Sequence, residues 1–368
     1  MTAPRLAYFV TPHGYGHAAR AAAVLEALGR RLPGIEIEIL TTVPDWFFAT
    51  SLSVPHCVRS LSTDVGLVQN GPFHADLDAT VAALDRFWSD LPHAVDRLVA
   101  TWGTRAPHVV VSDISPLGLE VGHRLAVPSV LVENFTWDWI YQAYRDDAPA
   151  LDGFAERSAQ STAHATLHIQ CEPVCRPVAG AVRVAPLGRT ARADRGDTRR
   201  ALGLDPSDRR PLVLLTLGGM GWTERRPEVS DDYLCVALGG VESDDGRTGV
   251  ADSGGSSSFL HLPDRSPIYV PDLVRAADVV IAKLGYSTVA ECYRAGARLG
   301  YIGRPGFPES PVLEAFVRSN LPSLEVGRHD DAEFAWSSRV ADLLALPAGA
   351  EREANGADEV VEHLLRLL

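Results

Sequence analysis

The chain has 368 residues and carries 34 Lys and Arg against 47 Asp and Glu, a net charge of −13. Hydrophobic residues make up 46% and charged residues 22%, the balance of a soluble globular protein, and the length predicts two cores rather than one. The only basic features are short Arg pairs, so nucleic acid and anionic membranes are poor partners, and no apolar run approaches the ~20 residues of a membrane span.

The N-terminus runs directly into a strand, which leads us to expect no signal peptide. Five scattered cysteines (57, 171, 175, 235 and 292) predict reduced thiols in a cytoplasmic protein. Cys171 and Cys175 lie four apart without a second pair or clustered His, so no metal site is expected there.

The first apolar strand is Leu6 to Thr11, followed by the turn from Pro12 to Arg20, which contains His13, Gly14, Gly16 and His17. A helix follows from Ala21 to Leu32 with Val24, Leu25, Leu28 and Leu32 on one face. Gly14 and Gly16 allow a tight turn and close approach of backbone to a ligand. His17 and Arg20, three apart on the first helical turn, share a face. Gly14-x-Gly16-x-x-Ala19 formally matches a dinucleotide fingerprint. That reading needs an acidic residue at the end of the next strand, and Ile35 to Leu40 ends in Thr41-Thr42, which makes NAD the minor reading. The plain alternative is a tight turn whose His caps the helix.

The aromatics of Pro44 to Phe48 cover the sheet or line a ligand. Ser62 to Asp76 is irregular, a loop over a cleft, and Asp78 to Ala100 has helical periodicity. The strand His108 to Ser112 delivers Asp113, which caps the next helix, the routine role of Asp there, or orients His17. After the strand Pro128 to Val132 come Glu133, Asn134, Trp137, Asp138 and Tyr141; Ala163 to Gln170 is the last core strand of the first domain. The boundary falls near Pro186 to Gly188, giving domains over 1–187 and 188–350 and a final segment over 351–368.

Pro211 to Leu217 opens the second domain, followed by the glycine turn Gly218 to Trp222. The next strand, Tyr233 to Ala237, follows too soon for a full helix between. Gly239 to Ser258 is acidic, Gly/Ser-rich and aperiodic, a loop. Val279 to Ala282 reads as a buried strand that breaks at Lys283-Leu284-Gly285-Tyr286, after which Ser287-Thr288 open a helix carrying Glu291. A Gly at a strand end before hydroxyl residues at a helix start leaves N–H groups facing outward, an anion site suited to a diphosphate, with Glu291 one turn on to accept from ribose hydroxyls. The plain reading is an ordinary strand–turn–helix with Ser and Thr as caps. A strand from Arg298 to Ile302 leads to the turn Gly303 to Pro308 and Glu309; Asp330 to Leu346 and Ala357 to Leu368 are helical.

The spacing Gly285, Thr288, Glu291 within Lys283 to Glu291 resembles the donor-nucleotide motif of GT-B glycosyltransferases, above all the MurG-like ones. The wording around Lys283 to Thr288, with His13 to Arg20 and Asn134 to Tyr141, resembles more closely the glycosyltransferase-like half of plant arabinokinases and stand-alone bacterial relatives. The resemblance covers nearly the whole chain. It implies two doubly wound, Rossmann-like α/β domains facing across a cleft, with the final helix crossing back to the first domain. It implies transfer of a sugar from a nucleotide diphosphate, UDP foremost, to a small-molecule acceptor by a single inverting displacement without a metal. The nucleotide-sugar is then a substrate and no cofactor is expected. His17 becomes the general base, with His13 or Asp113 in reserve. Gly14, Gly16, Arg20, Asn134, Trp137 and Asp138 fall on the acceptor side. Gly219, Lys283, Gly285, Tyr286, Ser287, Thr288, Glu291 and Glu309 fall on the donor side, Glu309 against the sugar. Lys283 pairs with phosphate or points towards the first domain. Two alternatives remain: a non-catalytic nucleotide-sugar-binding module, and a nucleotide-sugar epimerase or hydrolase on the same fold.

Overall fold

A computed structural model describes residues 3–70, 74–216, 230–239, 258–328 and 336–368. Gly219 and all of its glycine turn, most of the expected helix-free link to the next strand, most of the Gly239–Ser258 loop and the start of the expected 330–346 helix lie outside these residues. The chain divides into two compact units, residues 1–187 with 355–368, and residues 188–354.

In chain order the first unit is built from β1 (Arg5–Val10), α1 (Tyr15–Arg31), β2 (Glu36–Thr41), α2 (Asp45–Ser51), β3 (Cys57–Ser60), α3 (Leu77–Trp102), β4 (Val109–Asp113), α4 (Pro116–Leu125), β5 (Ser129–Glu133), α5 (Trp137–Ala143), α6 (Leu151–Thr162), β6 (Leu167–Cys171) and β7 (Val182–Val184). The second has α7 (Arg195–Ala201), β8 (Leu212–Thr216), β9 (Leu234–Leu238), β10 (Phe259–Leu262), α8 (Val270–Ala276), β11 (Val279–Lys283), α9 (Tyr286–Ala295), β12 (Arg298–Gly303), α10 (Ser310–Asn320), β13 (Ser323–Arg328) and α11 (Val340–Ala345). The last helix, α12 (Gly356–Leu364), belongs to the first unit, where its Val360, Val361 and Leu364 are buried in the cluster that holds Val24, Leu25 and Leu28 of α1.

The first sheet runs β3-β2-β1-β4-β5-β6-β7 and the second β10-β9-β8-β11-β12-β13, with every pairing of named strands parallel. Helices cover parallel strands on both faces, which is why β1, β4, β5, β8 and β11 are near-continuous apolar runs. These strands are legible in sequence, as are β2, β6, β9 and β12. The strands β3, β10 and β13, which no apolar run announced, sit at sheet edges, and half-exposed edge strands carry no such run. Described helix in the expected 330–346 segment is confined to α11, preceded by a 3-10 turn at Trp336–Arg339.

Both strand orders reverse once, between β1 and β4 and between β8 and β11. In open α/β sheets ligands bind beyond the carboxyl ends of the strands at such a switch point. Val10 and Asp113 are register partners at the first, Thr216 and Ala282 at the second, with Lys283 one residue further on.

Candidate functional site

At the first switch point α1 starts at Tyr15 behind Gly14, whose φ of 75° is the left-handed backbone that glycine adopts without strain. The first turn of α1 carries His17, and Arg20 lies three residues on; both turn towards Asp113 at the end of β4. Arg20 grips the carboxylate with both ends of its fork, Nε to Oδ2 at 2.6 Å and Nη2 to Oδ1 at 2.5 Å. His17 Nδ1 lies 2.6 Å from Asp113 Oδ1. Asp113 therefore does not cap a helix: Ser115 caps α4, accepting from the Gly118 N–H at 3.3 Å. Between them Ile114 is held at φ 52°, a strained setting for a β-branched residue.

Burial alone lifts a carboxyl pKa, but beside Arg20 and His17 Asp113 is held below its usual range. The same burial depresses His17 and outweighs the pull of Asp113. Arg20 adds its repulsion to the effect of burial, and His17, lowered from its usual value, is neutral near pH 7. Nδ1 also lies 3.0 Å from Arg20 Nη2, but its shorter contact is to the ionised Asp113, which only accepts, so the proton sits on His17 Nδ1 and Nε2 keeps its lone pair. A neutral, oriented imidazole is the form a general base needs.

A second buried carboxylate stands beside this cluster. Asp64, from the loop after β3, accepts from Thr11 Oγ1 and from Trp137 Nε1, each at 2.8 Å. The hydroxyl and the indole N–H are neutral donors, and burial pushes its pKa up to about 7. Trp137 stacks on Tyr141 and meets His13 edge-on, with ring centroids 5.9 and 5.5 Å apart. His13 Nε2 lies 3.0 Å from Gln69 Nε2. Gly66, at φ 64°, lets this packing close: a Cβ there would stand 2.8 Å from the Trp137 ring and 2.9 Å from His13 Nδ1.

The residues expected on the acceptor side are buried and have partners inside the unit. Asn134 accepts from Arg20 Nη1 and donates to the Cys171 and Pro173 carbonyls. Asp138 accepts from Arg176. Trp137 gives its N–H to Asp64, so these three frame the His17 cluster rather than line its surface. Gly14 is exposed with open space before it, and Gly16 is half-buried. Asp64 and Arg176 were not legible: one lies in an aperiodic loop, the other in a stretch without pattern.

At the second switch point Gly285 ends the turn after β11 in extended backbone, and among the described residues no side chain caps the N-terminus of α9. Tyr286, Ser287 and Thr288 form its first turn and are half-buried, and among the described residues Ser287 and Thr288 do not act as the caps of the plain reading. Glu291, one turn in, is buried and bonded to Arg189 Nε at 2.8 Å. Gly188 passes close enough that a Cβ would stand 3.2 Å from the Glu291 backbone N. The Arg189 and Arg192 guanidiniums lie 5.4 and 4.2 Å from the centre of the Tyr269 ring.

Next to α9, Lys283 ends β11 and Arg304 follows β12. Glu309 precedes α10, 3.7 Å from Arg304 Nη1 through Oε1, while its Oε2 is buried without a hydrogen-bond partner. Arg304 lies over the Phe307 ring at 3.5 Å. Burial, and then repulsion from Arg304, bring Lys283 down to about 7 against the pull of Glu309. Among the described residues Lys283 makes no hydrogen bond or ion pair, and its charge is compensated within this cluster only by Glu309. Among those residues, too, no group of three or more metal-ligating side chains occurs and no helix is long and apolar enough to cross a membrane.

No family model matches the chain. The L-arabinokinase of Arabidopsis thaliana is 26% identical over 98% of this chain, which spans about a third (34%) of that protein. Among solved structures, Arabidopsis thaliana UGT89C1 complexed with UDP matches with a TM-score of 0.63 at 13% identity, covering 99% of each chain. MurG of Acinetobacter baumannii matches at 0.55 and 16% identity, again over 99% of each. The fold is GT-B. A GT-B chain supplies two doubly wound units, and here each presents one buried charged cluster at its own switch point.

Proposed function

We propose that this chain is a glycosyltransferase that moves a sugar from a nucleotide diphosphate, UDP foremost, to a hydroxyl of a small acceptor, with inversion and without a metal. The second unit holds the donor, with the diphosphate at the N-terminus of α9 and the ribose against Glu291. The first unit holds the acceptor and the base. In the transfer step the acceptor hydroxyl gives its proton to His17 Nε2 as its oxygen attacks the anomeric carbon. The bond from that carbon to the diphosphate oxygen breaks, and the charge left on the diphosphate is met by the N–H groups of α9 and by Lys283.

The observation that carries this reading is the buried His17–Asp113–Arg20 cluster at a switch point, which orients a neutral imidazole and fixes its tautomer. UGT89C1, a structural neighbour, was solved with UDP bound, in keeping with that choice of carrier. The test is calorimetric binding of UDP, followed by transfer from UDP-sugars to an acceptor panel. We expect His17→Ala to bind UDP as the wild type does and to lose roughly 10²–10⁴-fold in transfer rate. An active His17→Ala variant removes the base, and free sugar released without any acceptor points to a hydrolase instead.

A further inference from the structure

Resting on the base role given to His17, we propose that Asp64 is a positioning residue for that base: through the indole of Trp137 and the ring of Phe135 it sets the plane of the His17 imidazole. Asp113 and Arg20 both meet His17 at Nδ1, and contacts at one atom leave a ring able to tilt about that atom. The tilt is limited by packing. The Phe135 ring stands at 84° to the imidazole, with centroids 5.9 Å apart. Phe135 in turn meets the Trp137 indole edge-on, 5.5 Å away and at 73°. All three rings are buried, and in a close-packed interior a shift of one is passed to the next.

The indole is the point where this row of rings is tied down. Its N–H donates to Asp64 Oδ2, and Asp64 Oδ1 accepts from Thr11 Oγ1, each at 2.8 Å. The backbone that carries Asp64 is fastened at the two strands that flank the first switch point. Its neighbour Thr63 donates through Oγ1 to the Val10 carbonyl at the end of β1, at 2.9 Å. The Thr63 carbonyl accepts from the hydroxyl of Ser115, the cap of α4 just past β4, at 2.8 Å. Val10 and Asp113 are register partners, so the side chain that holds the indole and the carboxylate that holds Nδ1 are anchored to the same pair of strand ends. A buried N–H left without an acceptor is costly, so without Asp64 the indole turns towards another acceptor and carries Phe135 with it.

The test is transfer kinetics with two variants at one position, each made alone and together with His17→Ala. Asp64→Leu keeps the branched shape and removes both acceptor oxygens; Asp64→Asn keeps a carbonyl for the indole and an amide for Thr11. We expect Asp64→Leu to lose roughly 10–10²-fold in kcat, the scale of a misplacement of about 1 Å, with acceptor KM and UDP affinity unchanged, and Asp64→Asn to stay within about twofold of the wild type. In the His17→Ala background Asp64→Leu is expected to change the residual rate by less than about twofold, because no imidazole is left to place. Trp137→Phe keeps an aromatic ring and removes the N–H; it is expected to repeat the kcat loss, again only where His17 is present, and it takes the place of Asp64→Leu if circular dichroism shows that variant unfolded. A wild-type rate in Asp64→Leu, an equal loss with and without His17, or a loss in Asp64→Asn as deep as in Asp64→Leu overturns the inference while the base reading stands. If the wild type transfers no sugar, or His17→Ala transfers as the wild type does, the base reading fails and this inference with it.

Discussion

Asp113 and Asp64 are two buried carboxylates near one strand edge, and their surroundings give them opposite character. Asp113 has a guanidinium on both oxygens and stays charged; the Asp64 carboxylate has only a hydroxyl and an indole N–H as donors among the described residues and is raised from 3.8 to about 7. The sign of the consequence follows from proton counting. Between about pH 4 and 7 the folded chain holds a proton on Asp64 that the unfolded chain has released, so this group's contribution to stability falls as pH rises through that window. Asparagine reproduces the protonated form, its amide donating to Thr11 Oγ1 while its carbonyl accepts from Trp137. We therefore expect Asp64→Asn to gain on the wild type as pH rises from 4 to 7, by an amount on the order of a few kcal/mol, read by urea unfolding at a series of pH values. Parallel pH profiles for the two proteins would show that Asp64 is ionised in both states.

Elements, not isolated residues, decide what Glu291 can do. From spacing alone it is a carboxylate one turn inside a helix that points at a diphosphate. In the fold α9 also brings it against Arg189, and the pair is buried together. Removing one partner of such a pair strands the other charge, at about 3–5 kcal/mol. Glu291→Ala is accordingly expected to lower thermal stability as well as UDP affinity. The double variant Glu291→Met with Arg189→Met removes both charges and should recover most of the stability while UDP affinity stays weak. Recovery of both would mean that Glu291 acts only through folding and has no ribose contact. In the donor turn Ser287 and Thr288 stand at the start of the helix, as both the anion-site reading and the plain capping reading require, and among the described residues neither caps it, which counts against the plain reading.

Across the whole molecule, the first unit is completed by the last stretch of the chain. Val360, Val361 and Leu364 of α12 are fully buried against α1 and β7, and Arg31 reaches Glu362 at 2.7 Å. Burying three aliphatic side chains contributes about 5–9 kcal/mol, comparable with the ~5–15 kcal/mol total stability of a domain. A chain ending at Ala354 is expected to lose the cooperative unfolding of the first unit while the second keeps its own transition, as followed by circular dichroism in urea. Two unchanged transitions would show α12 to be dispensable.

The sequence by itself determined the central strands of both sheets, the Gly-rich turn after β1 and the Gly285–Thr288–Glu291 spacing, and the resemblance these motifs carry implied the GT-B fold. Each is local: a buried parallel strand must be apolar along its length, and a tight turn or bare helix end must be made from particular residues in a row. Only the tertiary structure decided the partners. Asp113 stands 93 residues from Arg20, Arg189 stands 102 from Glu291, and Asp64 stands 73 from Trp137. No periodicity connects such positions, because what joins them is the order in which strands enter the sheet. The burial that order imposes then sets which carboxylate is charged and which imidazole is neutral.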